Sequence, residues 1–292
     1  MLLITGGAGY VGRHVARLVG KDVVALDDLR NSSRKAIDPV PLIQVDLAVA
    51  NVEWPRFDAV VHCAGSIEVS ESVRDPGLFW WNNVGAPARF FREARGRTLV
   101  FSSTAAVYGE PVHLPISEEH PLKPINPYGW TKLAAEQMFR DLGVKLTILR
   151  YFNCAGGDED HRPESHLIPR VVDAAIRGEP AVVYGDGSNV RDFIHVEDLA
   201  EAHLRALDVR GTFNLGSGRG ASVREVIETA RRVTGRKIDV RHEAARPGDP
   251  KMLVADNTRA RRELGWSPRR TLDDIIASCY EWRKAHPDGY GR

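Results

Sequence analysis

The sequence predicts an α/β protein: a doubly wound parallel sheet followed by a smaller mixed α/β region. Three observations lead there. Short β-rich runs alternate with helical patterns through the first half of the 292 residues, the order that builds a parallel sheet. A glycine-rich turn, Thr5-Gly6-Gly7-Ala8-Gly9-Tyr10-Val11-Gly12, joins the first such run directly to the first helical pattern. The second half loses this regularity, yet it opens two helices with capping chemistry.

Taken in order, strands are expected at 2–5, 22–26, 41–45, 58–63, 98–102 and 145–149, with helices at 10–18, 83–94 and 130–142 between them. Gly143 closes the last of these at a C′ position. Ser222-Val223-Arg224-Glu225 reads as a capping box whose helix stops before Gly235, and Thr271-Leu272-Asp273-Asp274 opens the final helix, 272–285. The implied organisation is a first domain over 1–155, with later segments near 190–216 candidates to return to its sheet, and a second over 156–292.

Composition narrows the function classes. With 43% hydrophobic residues, 27% charged and a formal net charge of +1, the chain is an ordinary globular one, and neither nucleic acid nor an anionic membrane is expected as its partner. Cys63, Cys154 and Cys279 lie too far apart for a disulfide framework or a zinc knuckle. No apolar stretch approaches the roughly 20 residues that span a bilayer, and no basic segment precedes Met1-Leu2-Leu3-Ile4, so a cytoplasmic protein is expected. No metal centre is expected either. Asp158-Glu159-Asp160 has no ligand periodicity and reads as a solvated turn, and His161, His166 and His195 are not expected to act as bases.

The glycine turn carries the first functional signal. Gly7, Gly9 and Gly12 have the spacing that permits a tight turn, close approach to a pyrophosphate, and close helix–strand packing. A helix N-terminus then faces the phosphates with free N–H groups. Asp27, about 20 residues on at the end of the second strand, is suited to ribose hydroxyls and disfavours a 2′-phosphate, which points to NAD; Arg30 nearby is the feature that would suit NADP. These marks define a Rossmann-type domain. Asp46, expected at the end of the third strand, is a candidate adenine contact or a cap for the next loop, and Ala64-Gly65 would let backbone pass close to a dinucleotide.

The second signal is Pro127-Tyr128-Gly129-Trp130-Thr131-Lys132. A Tyr and a Lys four apart share one helix face, and an ammonium near a phenol favours the phenolate, a usable proton acceptor. Thr104, at the carboxyl end of a strand, would bridge a substrate oxygen and Tyr128, or else satisfy the strand end.

Together with Phe101-Ser102-Ser103-Thr104-Ala105-Ala106-Val107-Tyr108-Gly109, Leu149-Arg150-Tyr151-Phe152-Asn153 and Val190-Arg191-Asp192-Phe193-Ile194-His195-Val196-Glu197-Asp198-Leu199, these motifs resemble the extended short-chain dehydrogenase/reductases that act on nucleotide sugars, and within them the UDP-galactose (UDP-glucose) 4-epimerase branch. The likeness runs to the tail His286-Pro287-Asp288-Gly289-Tyr290. It implies a C-terminal substrate domain and a homodimer through the helices at 83–94 and 130–142. It also implies an isomerase that holds NAD while a UDP-sugar passes through a 4-keto intermediate.

By the same resemblance, Tyr128, Lys132 and Thr104 are catalytic. NAD would be held by Gly6, Gly7, Gly9, Tyr10, Val11, Gly12, Asp27, Asn31, Ser32, Asp46, Leu47, Cys63, Ala64, Gly65, Asn83, Ser102, Tyr128, Lys132 and Tyr151. Substrate would meet Thr104, Tyr128, Asn153, His166, Leu167, Val182, Tyr184, Arg191, Arg246 and Asp249, the two arginines gripping the diphosphate. The alternative reading of Asn83 is a helix N-cap.

Several departures bear on the sugar. An insertion carried by many members between Ser188 and Arg191 is missing, Ile67 and Phe193 replace a frequent lysine and tyrosine, and Leu253 stands where bulk is linked to tolerance of N-acetylated sugars. A 4-epimerase of UDP-N-acetylhexosamine or UDP-uronic acid is the alternative. A 4,6-dehydratase needs an Asp-Glu pair directly after the Thr, and Ala105-Ala106 stand there instead. A non-catalytic NAD sensor would be expected to have lost the Tyr or the Lys, and both are kept.

Overall fold

Residues 1–49, 56–160, 166–245 and 250–291 are described by the computed structural model. Leu2, Leu3 and Ile4 are buried in succession, the signature of a parallel strand covered on both faces. That strand, β1 (Leu2–Thr5), is followed by α1 (Tyr10–Val19), β2 (Val23–Asp27), β3 (Leu42–Gln44) and β4 (Ala59–His62). Next come α2 (Val69–Arg74), α3 (Pro76–Trp80), α4 (Ala86–Phe90), β5 (Thr98–Thr104), α5 (Pro127–Asp141) and β6 (Lys145–Tyr151). Beyond them the chain forms β7 (Asn153–Ala155), α6 (Leu167–Arg177), β8 (Ala181–Tyr184), β9 (Val190–His195), α7 (Val196–Arg205) and β10 (Gly211–Leu215). The last elements are β11 (Gly220–Ser222), α8 (Val223–Thr234), β12 (Val240–Glu243), β13 (Met252–Leu253), α9 (Thr258–Glu263) and α10 (Leu272–Ala285).

Seven strands form one parallel sheet in the order β10-β6-β5-β4-β1-β2-β3. The direction of winding reverses between β1 and β4, the place where such sheets open a crevice at their carboxyl ends. One face packs under α1 and α7 through Val15, Ala16, Leu199 and Ala202, and the other under α4 and α5 through Phe90, Phe91, Phe101 and Phe139. β10 returns from the second half to pair with β6, while β9, inside the same 190–216 stretch, belongs to a separate small sheet with β7, β11 and β13. A further pair, β8 with β12, lies beside α6, and α6, α8 and α10 share a core built on Ile168, Val172, Val226 and Ile276. No helix among the described residues is long and apolar enough to cross a membrane.

Both capping boxes form: Ser222 and Thr271 accept from the backbone N–H three residues on, and the Glu225 and Asp274 carboxylates return to the cap backbone. Three expectations are corrected. The helix expected at 83–94 starts at Pro76, where Asp75 Oδ1 caps Leu78 N at 3.0 Å; Gly77, Gly85 and Pro87 hide its pattern. Asn83 is therefore not an N-cap but lies inside the helical run. Asp46 lies past the end of β3, where its Oδ1 accepts from Ala48 N. Finally, Asp158-Glu159-Asp160 is not a solvated turn: Asp158 is 6% exposed and Glu159 fully buried, because α1 and the C-terminal tail supply the cations and hydroxyl that satisfy Asp158.

Candidate active site

The dinucleotide side is built mainly from backbone. Gly6 has φ +68°, a left-handed conformation that only glycine adopts without strain. A Cβ on Gly12 would stand 2.1 Å from the Gly6 carbonyl oxygen, so the first turn of α1 can close onto the loop only without a side chain. Gly9 caps α1 with no side-chain hydrogen bond, and the first turn holds no acidic residue. Its N–H groups and positive dipole end are thus left for an anion, which fits the dinucleotide pyrophosphate. Tyr10 and Val11 open the helix.

Asp27 closes this turn from the strand beside it. Its Oδ2 accepts from Ala8 N at 3.0 Å, and its Oδ1 from Leu29 N at 2.9 Å and Ser32 Oγ at 2.7 Å. Ser32 is thus brought to the carboxylate, with Asn31 next to it in the same loop. Arg30 reaches Asp46 Oδ2 at 2.8 Å, so the residue that would suit NADP is paired with a carboxylate. Leu47 follows in the same loop.

Cys63, Ala64 and Gly65 leave β4 at the sheet's carboxyl edge. Burial pushes the Cys63 thiol up to about 11, against a small downward pull from its 3.2 Å contact with Ser102 Oγ. Asn83 meets this strand end from inside the helical run, where residues 81–85 widen into a π turn. Its Oδ1 accepts from Ser66 N at 2.8 Å, and its Nδ2 donates to the Ser66 carbonyl and to Thr131 Oγ1, both at 3.0 Å. Asn83 therefore ties the loop after β4 to the helix that carries Tyr128, the sort of placement π turns serve at functional sites.

Tyr128 and Lys132 stand on the first turns of α5. Asn126 caps this helix through Gly129 N at 2.8 Å, and Pro127 occupies N1. A Cβ on Gly129 would lie 2.7 Å from the Ala106 carbonyl, so this glycine lets the helix start press against the end of β5. There the Thr104 side chain accepts from Ala106 N at 3.1 Å, and its hydroxyl is near enough to the Tyr128 phenol to act on its acidity. The strand-end reading of Thr104 is thus met by its bond to Ala106 N.

The electrostatics depart from the simple Tyr–Lys picture. Burial pushes the Tyr128 phenol up to about 12, opposed by the Thr104 hydroxyl and reinforced by the charge of Glu68. Lys132 is 5% exposed, its Nζ lies 4.5 Å from the Phe101 ring centroid, and burial pulls it down to about 8 against the opposing influence of Cys63 and Glu136. The protein alone therefore does not make Tyr128 a ready base. Phe101, the platform under the lysine, was not among the sequence candidates; its place in β5 immediately before Ser102 is the signal that pointed to it.

Two buried networks were also not legible beforehand. Tyr151 turns its hydroxyl to Ser102 Oγ at 2.6 Å and to His203, whose Nδ1 contacts the Leu199 carbonyl at 2.8 Å; burial holds His203 down at about 4. One turn along α5 from Lys132, Glu136 grips Arg150 through two bonds of 2.9 and 2.7 Å and accepts from Ser103 Oγ at 2.6 Å.

On the substrate side, Asn153 opens β7 opposite Phe193 of β9, in the sheet that carries Arg191. His166 caps α6 and contacts Glu159, and Leu167 begins that helix. Val182 and Tyr184 lie on β8, where Arg170 of α6 covers the Tyr184 ring at 5.7 Å. Arg246, Asp249 and His161 lie outside the described residues. His195 ends β9, where its Nδ1 accepts from Glu197 N and its Nε2 meets Ser278 Oγ at 3.0 Å.

Comparison with known proteins narrows the site's chemistry. The model of the NAD dependent epimerase/dehydratase family matches residues 2–216. Over 325 aligned positions the chain is 42% identical to UDP-glucose 4-epimerase of Lactobacillus helveticus, covering 99% of this chain and 98% of that protein. The crystal structure of UDP-glucose 4-epimerase from Bifidobacterium longum in complex with NAD+ and UDP matches with a TM-score of 0.89 at 34% identity, covering 99% of each chain. UDP-N-acetylglucosamine 4-epimerase from Methanobrevibacter ruminantium M1, in complex with UDP-N-acetylmuramic acid, matches with a TM-score of 0.91 at 28% identity, covering 98% of each.

Proposed function

Because the chain belongs to the NAD dependent epimerase/dehydratase family, we propose that it is a NAD-dependent 4-epimerase that interconverts UDP-glucose and UDP-galactose through a transient 4-keto sugar. The observation that carries this reading is the start of α5, bearing Tyr128 and Lys132, pressed through Gly129 against Ala106 just after Thr104, at the carboxyl edge of the sheet on the same rim as the uncapped N-terminus of α1.

Tyr128 takes the proton of the sugar C4 hydroxyl, and Thr104 holds that oxygen against the phenol. Bound NAD supplies the hydride acceptor, and its positive ring favours the Tyr128 phenolate that burial alone disfavours. Lys132, held over Phe101 and pulled down to about 8, would hold the nicotinamide ribose. Asp27 orients the adenosine ribose, and the turn from Gly6 to Gly12 receives the pyrophosphate. The keto sugar would then turn over to present its other face, where Tyr128 would return its proton to the C4 oxygen. No net oxidation occurs, so NAD is retained through the cycle.

Asn153, His166, Leu167, Val182, Tyr184 and Arg191 are assigned to the nucleotide and its diphosphate, with Arg246 and Asp249 added by resemblance. Leu253 packs against the cluster that contains Ala105, Val107 and Ile116. A homodimer is assigned to the helices at 76–94 and 127–141. Trp80, Trp81 and Trp130 stand 44%, 49% and 48% exposed there, more apolar surface than a lone helix face leaves to water. Light scattering at micromolar concentration should give twice the 32.4 kDa chain mass, and a monomer would remove this assignment.

The activity is tested by proton NMR of the purified protein with UDP-glucose and no added cofactor. The anomeric signal of UDP-galactose is expected. Its absence, repeated with added NAD+, would overturn the proposed substrate.

A further inference from the structure

The C-terminal tail reaches the dinucleotide turn through an unbroken series of contacts, buried at Arg13 and part-buried at Tyr290. Arg13, on the second turn of α1, is 3% exposed. Its Nη1 donates to the carbonyl of Ala8 at 3.3 Å, inside the glycine turn, and its other nitrogens bind Asp158: Nε to Oδ2 at 3.2 Å, and Nη2 to Oδ1 at 3.3 Å and to the backbone oxygen. Asp158 in turn receives the Tyr290 hydroxyl and Arg17, while Arg17 Nη2 donates to the Tyr290 oxygen at 3.0 Å. The Arg13 guanidinium lies between two rings, 5.4 Å from that of Tyr10 and 5.3 Å from that of Tyr290. Tyr290 N donates to Asp160 Oδ2 at 3.1 Å, so backbone and side chain of the tail both grip the same loop.

The geometry at Ala8 gives this series its meaning. Its N–H is held by Asp27 and its carbonyl by Arg13, from two different elements. The residues around it, Gly6, Gly7 and Gly9, impose little conformational preference of their own. Fixing both polar groups of Ala8 therefore sets the orientation of the neighbouring N–H groups, the ones that meet a pyrophosphate. Asp158 adopts φ +70°, a conformation unusual for a non-glycine residue, and the partners gathered around it hold it there.

We propose that Arg13, Asp158 and Tyr290 form a latch that positions the dinucleotide turn, so that the C-terminal tail governs how firmly NAD is retained. The latch rests on the reading that this turn holds NAD. Arg13, Asp158 and Tyr290 are positioning residues, acting through Ala8.

The test compares wild type, Tyr290→Phe and Arg13→Met. Tyr290→Phe keeps the ring over Arg13, removes only the hydroxyl and alters a partly exposed tail residue. The exchange of bound NAD+ against isotopically labelled NAD+ is measured beside UDP affinity by calorimetry and the unfolding temperature. Exchange should quicken about fivefold in Tyr290→Phe and about tenfold or more in Arg13→Met, the scale of losing charge-assisted bonds, with UDP affinity within about twofold of wild type. Unchanged exchange in both variants overturns the latch. So does a parallel loss of NAD and UDP affinity with a lowered unfolding temperature, which would mark general destabilisation. A wild-type protein that takes up no NAD+ at all would sink the NAD reading, and the latch with it.

Discussion

Two buried cations lie close together in the layer between α5 and the sheet, and they are handled in opposite ways. Arg150 is gripped by Glu136 through a two-bond fork and also donates to the Tyr108 hydroxyl at 2.9 Å. Lys132, one turn before Glu136 on α5, makes no ion pair among the described residues and rests on the ring of Phe101. The paired cation is structural: its charge is satisfied in every direction, and it locks β5, α5 and β6 together. The unpaired one is held down at about 8, within reach of either protonation state. Burial with full pairing makes a scaffold, while burial with only an aromatic face leaves a group free to respond to a bound ligand.

The largest effect that probes this contrast belongs to Tyr128, the group proposed for acid–base transfer. Tyr128→Phe should lower kcat by about 10³-fold while leaving NAD bound, measured by a coupled assay and by the cofactor released on denaturation. Near-normal turnover would remove Tyr128 from the mechanism.

Next in size, Glu136→Gln leaves the Arg150 charge without its counter-ion and should cost about 3–5 kcal/mol in denaturant unfolding. A loss below about 1 kcal/mol would mean that Arg150 is satisfied by Tyr108 and its other partners, and the scaffold argument would fail.

Lys132→Met should slow turnover without lowering stability, because an unpaired buried ammonium opposes folding. The sign with pH follows from its depressed value. Below about 8 both folded and unfolded chains carry the proton, and the burial penalty is fully present. Between about 8 and 10.5 the unfolded chain binds more protons, so wild-type stability rises relative to the variant, by at most about 3 kcal/mol. A flat difference across that window would show that the lysine is not held down by burial.

The smallest effect is expected from Ser103→Ala, which removes one bond to Glu136 and should cost about 1 kcal/mol. A loss as large as that of Glu136→Gln would make the hydroxyl, not the arginine, the centre of the network.

Much of this arrangement is local and could be read residue by residue. The glycine turn, the alternating strands and helices, and the capping boxes at Ser222 and Thr271 depend on neighbours a few positions away. Thr104, Tyr128 and Lys132 were legible because two short motifs place them at a strand end and a helix start. The helix from Pro76 was only half legible: Gly77, Gly85 and Pro87 lower helix propensity, and packing of Phe79, Phe90 and Phe91 overrides it.

The sequence by itself determined the parallel sheet, the dinucleotide turn and the Tyr128–Lys132 spacing on one helix face, because each is written in backbone propensity and short spacing. Only the tertiary structure decided which charges are buried and by what they are met. Arg150 with Glu136, Lys132 on Phe101, Tyr151 against His203, and Arg13 with Asp158 and Tyr290 join residues from separate elements. Their energetics depend on desolvation and on partners brought together by folding, and no local pattern along the chain encodes either.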